Sequence, residues 1–213
     1  MAGNDRFPKS LGKRGRFGML TQKELSASIE AYENEIQDAI RAAKEVALPD
    51  PVSLSFTTSQ LTTAAIEELA SSLPTGHKKE DKEAEFIYIF TLSENNDVPI
   101  TDILSAFGSA RDWQDSDEYD GKKNLCRPNE ICEPVRALYV GRSYKPRDRM
   151  KQHLSASIAG TYAIHFSTWA SELEIQIDFY LYRFSGLGNR VVQVLEDGLW
   201  DNLKPIFGRR GEK

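Results

Sequence analysis

Residues 138–154, LYVGRSYKPRDRMKQHL, bring a phenol, a guanidinium and an imidazole into one short stretch. Arg149 and His153 stand four apart, which puts them on one face of a helix. Pro146 suits the first position of that helix, and residues 136–140 read as a short strand ending at Gly141. Met150, Leu154 and Ile158 mark a neighbouring apolar face, so the helix docks on a core with Arg149 and His153 turned outward. Tyr139, at the strand end, then lies near them. Together at a helix N-terminus, these groups would form a receptor for a phosphodiester.

At 213 residues, 40% hydrophobic and 28% charged, the chain suffices for one well-cored domain with an extension. No apolar run approaches the roughly 20 residues a bilayer span requires, and residues 1–16 have no hydrophobic signal region, so a cytoplasmic location without membrane contact is expected. Cys126 and Cys132 are expected as free thiols. The net charge of −5 conceals segregation: residues 136–154 carry a local +5 and residues 93–135 a local −6. Phosphate contacts are local, so a basic face can hold nucleic acid on an acidic protein.

The elements that must position these groups follow from periodicity. Residues 1–18 form a basic, glycine-containing arm. Thr21 and Glu24 fit a capping box ahead of Leu25, Ile29, Tyr32, Ile36, Ile40 and Ala43, a long amphipathic helix whose apolar face is covered by the domain or by a second copy in a homodimer. A second helix is expected over 59–72, a solvated charge run over 78–85 and a central strand over 86–92, with Tyr88 in its middle. Residues 93–135 read as an insertion between paired strands, with a short helix over 100–107 capped by Thr101. Residues 173–182 alternate as a strand with one buried face. A last helix runs from Asn189 to Leu203, with Val192, Leu195, Leu199 and Leu203 inward, Glu196 beside them and Pro205 closing it. This order predicts an α+β fold: a small antiparallel sheet of three strands flanked by helices, with a helical extension over 1–84 and the principal domain over 85–213.

Phe86-Ile87-Tyr88-Ile89-Phe90 resembles the first half-motif of the GIY-YIG endonucleases, and Leu138-Tyr139-Val140-Gly141-Arg142-Ser143 the second. Arg149 and His153 follow at the family's spacing, and the tail LEDGLWDNLKPIFG resembles its closing helix, with Glu196 at the metal-binding glutamate. The resemblance covers residues 85–208, interrupted by the insertion. Phe86 stands where the family has glycine, and Gly208 where many members have asparagine. Restriction-type members also carry insertions and terminal extensions.

The resemblance implies a metal-dependent endonuclease cutting DNA, most simply double-stranded, in restriction or another defence role. Glu196 would bind one Mg²⁺ or Mn²⁺ per site, Arg149 would clamp the phosphate and His153 would relay a proton or hold the phosphate. Tyr139, its pKa lowered by nearby cations, is the first choice of general base, with Tyr88 orienting the water or exchanging roles with it. Arg142, Lys145, Arg147 and Lys151 would contact backbone phosphates. The alternatives are a catalytically silent nucleic-acid-binding or protein-interaction module on the same scaffold, or a nuclease for RNA or branched DNA.

Overall fold

The computed structural model describes residues 20–76, 84–155 and 161–211. In chain order the elements are α1 (Gln22–Lys44), β1 (Val52–Thr57), α2 (Thr63–Ser71), β2 (Ala84–Leu92), α3 (Ile100–Asp115), β3 (Tyr139–Ser143), α4 (Pro146–Leu154), α5 (Phe166–Trp169), β4 (Gln176–Ser185) and α6 (Asn189–Leu203). The expected basic arm, most of the charge run 78–85 and Ile158 lie outside the described residues. Contacts divide the chain into two units, Met1–Asp38 and Ala39–Lys213, the division falling within α1. In the first unit α1 opens with the expected capping box. Glu24 N–H donates to Thr21 Oγ1 at 3.2 Å and Thr21 N–H to the Glu24 carboxylate at 2.8 Å, giving partners to amides that a helix start leaves without any.

The second unit is an α+β structure built on an antiparallel sheet of four strands in the order β1-β4-β2-β3, where three were expected. The additional strand is β1, which pairs Val52 with Leu181 and Thr57 with Gln176. Leu54 and Phe56 pack against the core, and Ser55 Oγ donates to Asp178 on the neighbouring strand at 2.6 Å. Half its residues are serine or threonine, so it carries little of the apolar signal by which a strand is read from sequence.

Strand β2 is covered on both sides, as its unbroken apolar run requires. Phe86, Tyr88 and Phe90 join the larger core, with Met150 and Leu154 of α4 and Phe166 of α5. Ile87 and Ile89 point the other way, toward Val192, Leu195 and Leu199 of α6. The period of two thus assigns β2 side chains alternately to the α4 side and the α6 side. Pro146 is the first residue of α4 after Lys145, as expected. Helix α6 ends where Lys204 takes a left-handed conformation (φ 46°) ahead of Pro205.

The insertion is a structural part of this core. Its helix runs over Ile100–Asp115 from an N-cap at Pro99, twice the expected length and without the expected Thr101 cap. Ile103 and Phe107 are buried, with the Phe107 ring 4.3 Å from Phe207 and 5.3 Å from Trp169 between centroids. The chain then returns along the domain through isolated β-bridges, Leu125 to Ala163 and Pro128 to Phe207. Among the described residues no helix is long and apolar enough to cross a membrane. Truncating a buried phenylalanine removes its transfer free energy and leaves a cavity. Phe107→Ala is therefore expected to cost about 3–5 kcal/mol in urea unfolding; a loss below about 1 kcal/mol would mean that the insertion is only loosely attached.

Candidate active site

Strand β3 is an edge of the sheet, and the register sets Gly141 opposite Tyr88 and Tyr139 opposite Phe90. A Cβ at Gly141 would stand 2.6 Å from Tyr88 Oη and 2.8 Å from Tyr139 Cε1. Glycine is required here because two phenol rings cross directly over its Cα. With that space open the rings are stacked, their centroids 6.0 Å apart and their planes 3° from parallel. Gly208 performs the same service from the far side: its φ is +101°, and a Cβ there would stand 2.6 Å from the Tyr139 ring. Phe86, two residues before Tyr88, sits in regular ladder pairing with Ser143 and Arg183 and is fully buried.

Arg149 joins the two phenols. Its Nε donates to Tyr88 Oη at 2.9 Å and its Nη2 to Tyr139 Oη at 3.2 Å. Nη2 also reaches the Tyr162 carbonyl at 3.0 Å, and Nη1 reaches Gln152 Oε1 at 2.8 Å. His153, one turn on, is completely buried behind Tyr88. Its Nδ1 accepts from the Ile164 backbone N–H at 3.2 Å, which leaves the ring proton on Nε2, and Nε2 lies 3.1 Å from Tyr88 Oη. Tyr88 oxygen thus accepts from both Arg149 and His153. Its own hydroxyl proton must point away from them.

Burial fixes the charge states. It holds the His153 imidazole well below its ordinary pKa, with Arg149 and His165 pushing the same way. It pushes Tyr88 and Tyr139 above the ordinary phenol value, and Arg149 offsets only part of this. The cations expected to lower Tyr139 are therefore outweighed by desolvation. The buried Cys126 thiol, beside the same pocket, is pushed up to about 12 and is a poor nucleophile. Both cysteines are free.

The carboxylate comes from the opposite face. Arg142, on the α6 side of β3, sends Nη1 to Glu85 Oε2 at 3.0 Å and Nε to Glu196 Oε2 at 3.3 Å. Asn189 Oδ1 and Gln193 Oε1 also accept from it, each at 2.6 Å. Glu196 is 7% exposed and shares with Tyr88, Tyr139 and Arg149 the lining of one pocket of about 600 Å³. The sheet edge lets groups from both faces meet there. No group of three His, Cys, Asp or Glu able to hold a metal occurs among the described residues. Glu196 is the one acidic side chain among the residues lining this pocket, a single hard oxygen donor group whose Oε2 lies 3.3 Å from Arg142 Nε.

Of the remaining expected phosphate contacts, Lys145 is exposed at the start of α4. Arg147 is turned inward, donating to the Leu73 and Ser71 carbonyls at 2.7 Å and 2.8 Å, and Lys151 pairs with Glu67 at 2.6 Å. Sequence reasoning missed the segment 161–165, which supplies the carbonyl for Arg149 and the amide for His153. His165 holds it: Nδ1 lies 2.9 Å from Ser155 O and Nε2 3.0 Å from Thr161 O, from a left-handed backbone (φ 51°). A lone histidine outside any motif carried no signal of this.

Compared with protein-family models, curated proteins and solved structures, the chain matches none.

A neutral buried His153 links stability to pH. Its folded pKa lies below the unfolded value of about 6.5, so the unfolded chain binds more protons under acid. Its contribution is complete above about 6.5 and declines as pH falls toward the folded value, by up to about 1.4 kcal/mol per unit. Urea unfolding at pH 7 and pH 5.5 should show this decline in the wild type and a shallower one in His153→Gln. Equal slopes would mean that His153 accepts its proton inside the fold.

Proposed function

We propose that the chain is a divalent-metal-dependent endonuclease of GIY-YIG type that hydrolyses DNA phosphodiesters, most simply in double-stranded DNA. The observation that carries this is Arg149, a guanidinium bonded to both motif tyrosines inside a pocket that Glu196 also lines. In this reading Arg149 binds a nonbridging phosphate oxygen and offsets the charge that grows in the transition state. Tyr88 is the favoured base. As a phenolate it would keep both of its donors, Arg149 and His153, while taking a proton from the attacking water. The new P–O bond forms as the bond to the leaving ester oxygen breaks. Tyr139 sits against the same phosphate, and His153 acts through Tyr88 instead of touching substrate.

Glu196 would hold the Mg²⁺ or Mn²⁺, which supplies Lewis acidity when bound. Arg142 keeps that carboxylate aimed at the pocket and has little of its guanidinium left for DNA. Lys145 remains the exposed helix-start cation for a backbone phosphate. The long segment between the half-motifs favours a restriction or other defence setting. A silent binding module on the same scaffold is the competing reading, and the raised phenols are the observation that favours it.

Plasmid DNA incubated with the protein and Mg²⁺ should be cut. Arg149→Ala and Glu196→Ala should each lower the rate by about 10²–10³-fold or more. Because the Tyr88 phenol is raised, the rate should climb with pH through about 9, the phenolate fraction growing tenfold per unit below its pKa. Binding without cutting at any pH or divalent ion, unchanged in both variants, would favour the silent module and sink the enzyme.

A further inference from the structure

A second hollow, of about 410 Å³, adjoins the candidate active site and shares Arg127, Gly208, Arg209 and Arg210 with it; Asn129 and Trp200 complete its lining. Its walls come from two distant stretches of chain pinned together. Gly208 N–H donates to Arg127 O at 2.8 Å, Asn129 N–H to Ile206 O at 2.8 Å, and Asn129 Nδ2 to Pro205 O at 2.9 Å. The insertion is thereby fixed to the C-terminal segment, and Arg127 is set beside Arg209.

The charges here differ from those on α4. Arg147 is turned onto backbone carbonyls, Lys151 pairs with Glu67 at the surface, and Arg210 is held by Asp201 at 2.7 Å and Asp197 at 4.0 Å. Arg127 and Arg209 are exposed, with no carboxylate partner among the described residues. Trp200 lines the same hollow, between the arginines and the apolar cluster it packs against. Two unneutralised guanidinium groups lining one hollow make a site for an anion.

We propose that this hollow binds the phosphate next to the scissile one on the same polynucleotide strand, so that the protein takes nucleic-acid strands in preference to small phosphodiesters. The proposal rests on the nuclease reading, because the shared wall makes the neighbouring phosphate the natural occupant. The insertion then has a binding role: it carries Arg127 to the strand.

The test is binding of a fluorescent duplex oligonucleotide to the full chain without divalent ion, read across a salt series. Arg127→Ala/Arg209→Ala should weaken affinity about tenfold or more at low salt and lessen the slope of log K against log salt by about two, close to one per lost phosphate contact. Arg127→Lys/Arg209→Lys should keep the wild-type slope. A wild-type slope in the alanine pair overturns the proposal, and so does an equal loss in the lysine pair, which would trace the effect to folding. Since binding is read without hydrolysis, a protein that never cuts yet shows the expected slopes sinks only the nuclease reading. One that cuts but keeps its slope sinks only this hollow.

Discussion

The site depends on one largely buried cation that is held by dipoles. Arg149 donates to two phenol oxygens, a backbone carbonyl and a glutamine amide, and no carboxylate is paired with it among the described residues. Removing a guanidinium from water is costly, and neutral acceptors recover only part of that cost. The side chain is therefore preorganised with its charge largely unneutralised, which is the condition under which an anion binds most strongly. A carboxylate in direct contact would have made a stable ion pair and a poorer receptor. Glu196 sits in the same pocket but is held on Arg142, which keeps the acid and the cation separate.

This arrangement constrains the surrounding fold. The phenols reach Arg149 only because Gly141 and Gly208 leave room for their rings. His153 presents its proton to Tyr88 only because the Ile164 amide occupies its other nitrogen. That amide belongs to a segment whose ends His165 ties to the end of α4. Placement of one guanidinium thus propagates into a glycine at the sheet edge, a left-handed histidine and a strap of backbone. Each has a local cost that Arg149 and its partners justify.

Where spacing carried information, the sequence was readable. Tyr88, Tyr139, Arg149 and Glu196 line one pocket, and helix periodicity placed α1, α4 and α6 within a few residues. Strand β1 escaped because its serines and threonines dilute the apolar alternation. The full length of α3 escaped because its second half, SARDWQD, is polar and is held through Gln114, which accepts from Asn124 and Leu125 amides. Partners of charged side chains were not readable at all. Arg142, Arg147 and Lys151 looked like a basic face, yet each is directed to an acceptor of the same chain that lies tens of residues away in sequence.

Phe86 and Gly208 are best understood from what occupies the space around them. Phe86 lies two residues before Tyr88, on the same face, under full cover and in regular pairing, so nothing at that point calls for a glycine's backbone freedom. At Gly208 the opposite holds. With φ at +101° and Tyr139 where a Cβ would go, a side chain of any kind would displace the ring from Arg149. The bond from Gly208 N–H to Arg127 O fixes the C-terminal segment against the pocket.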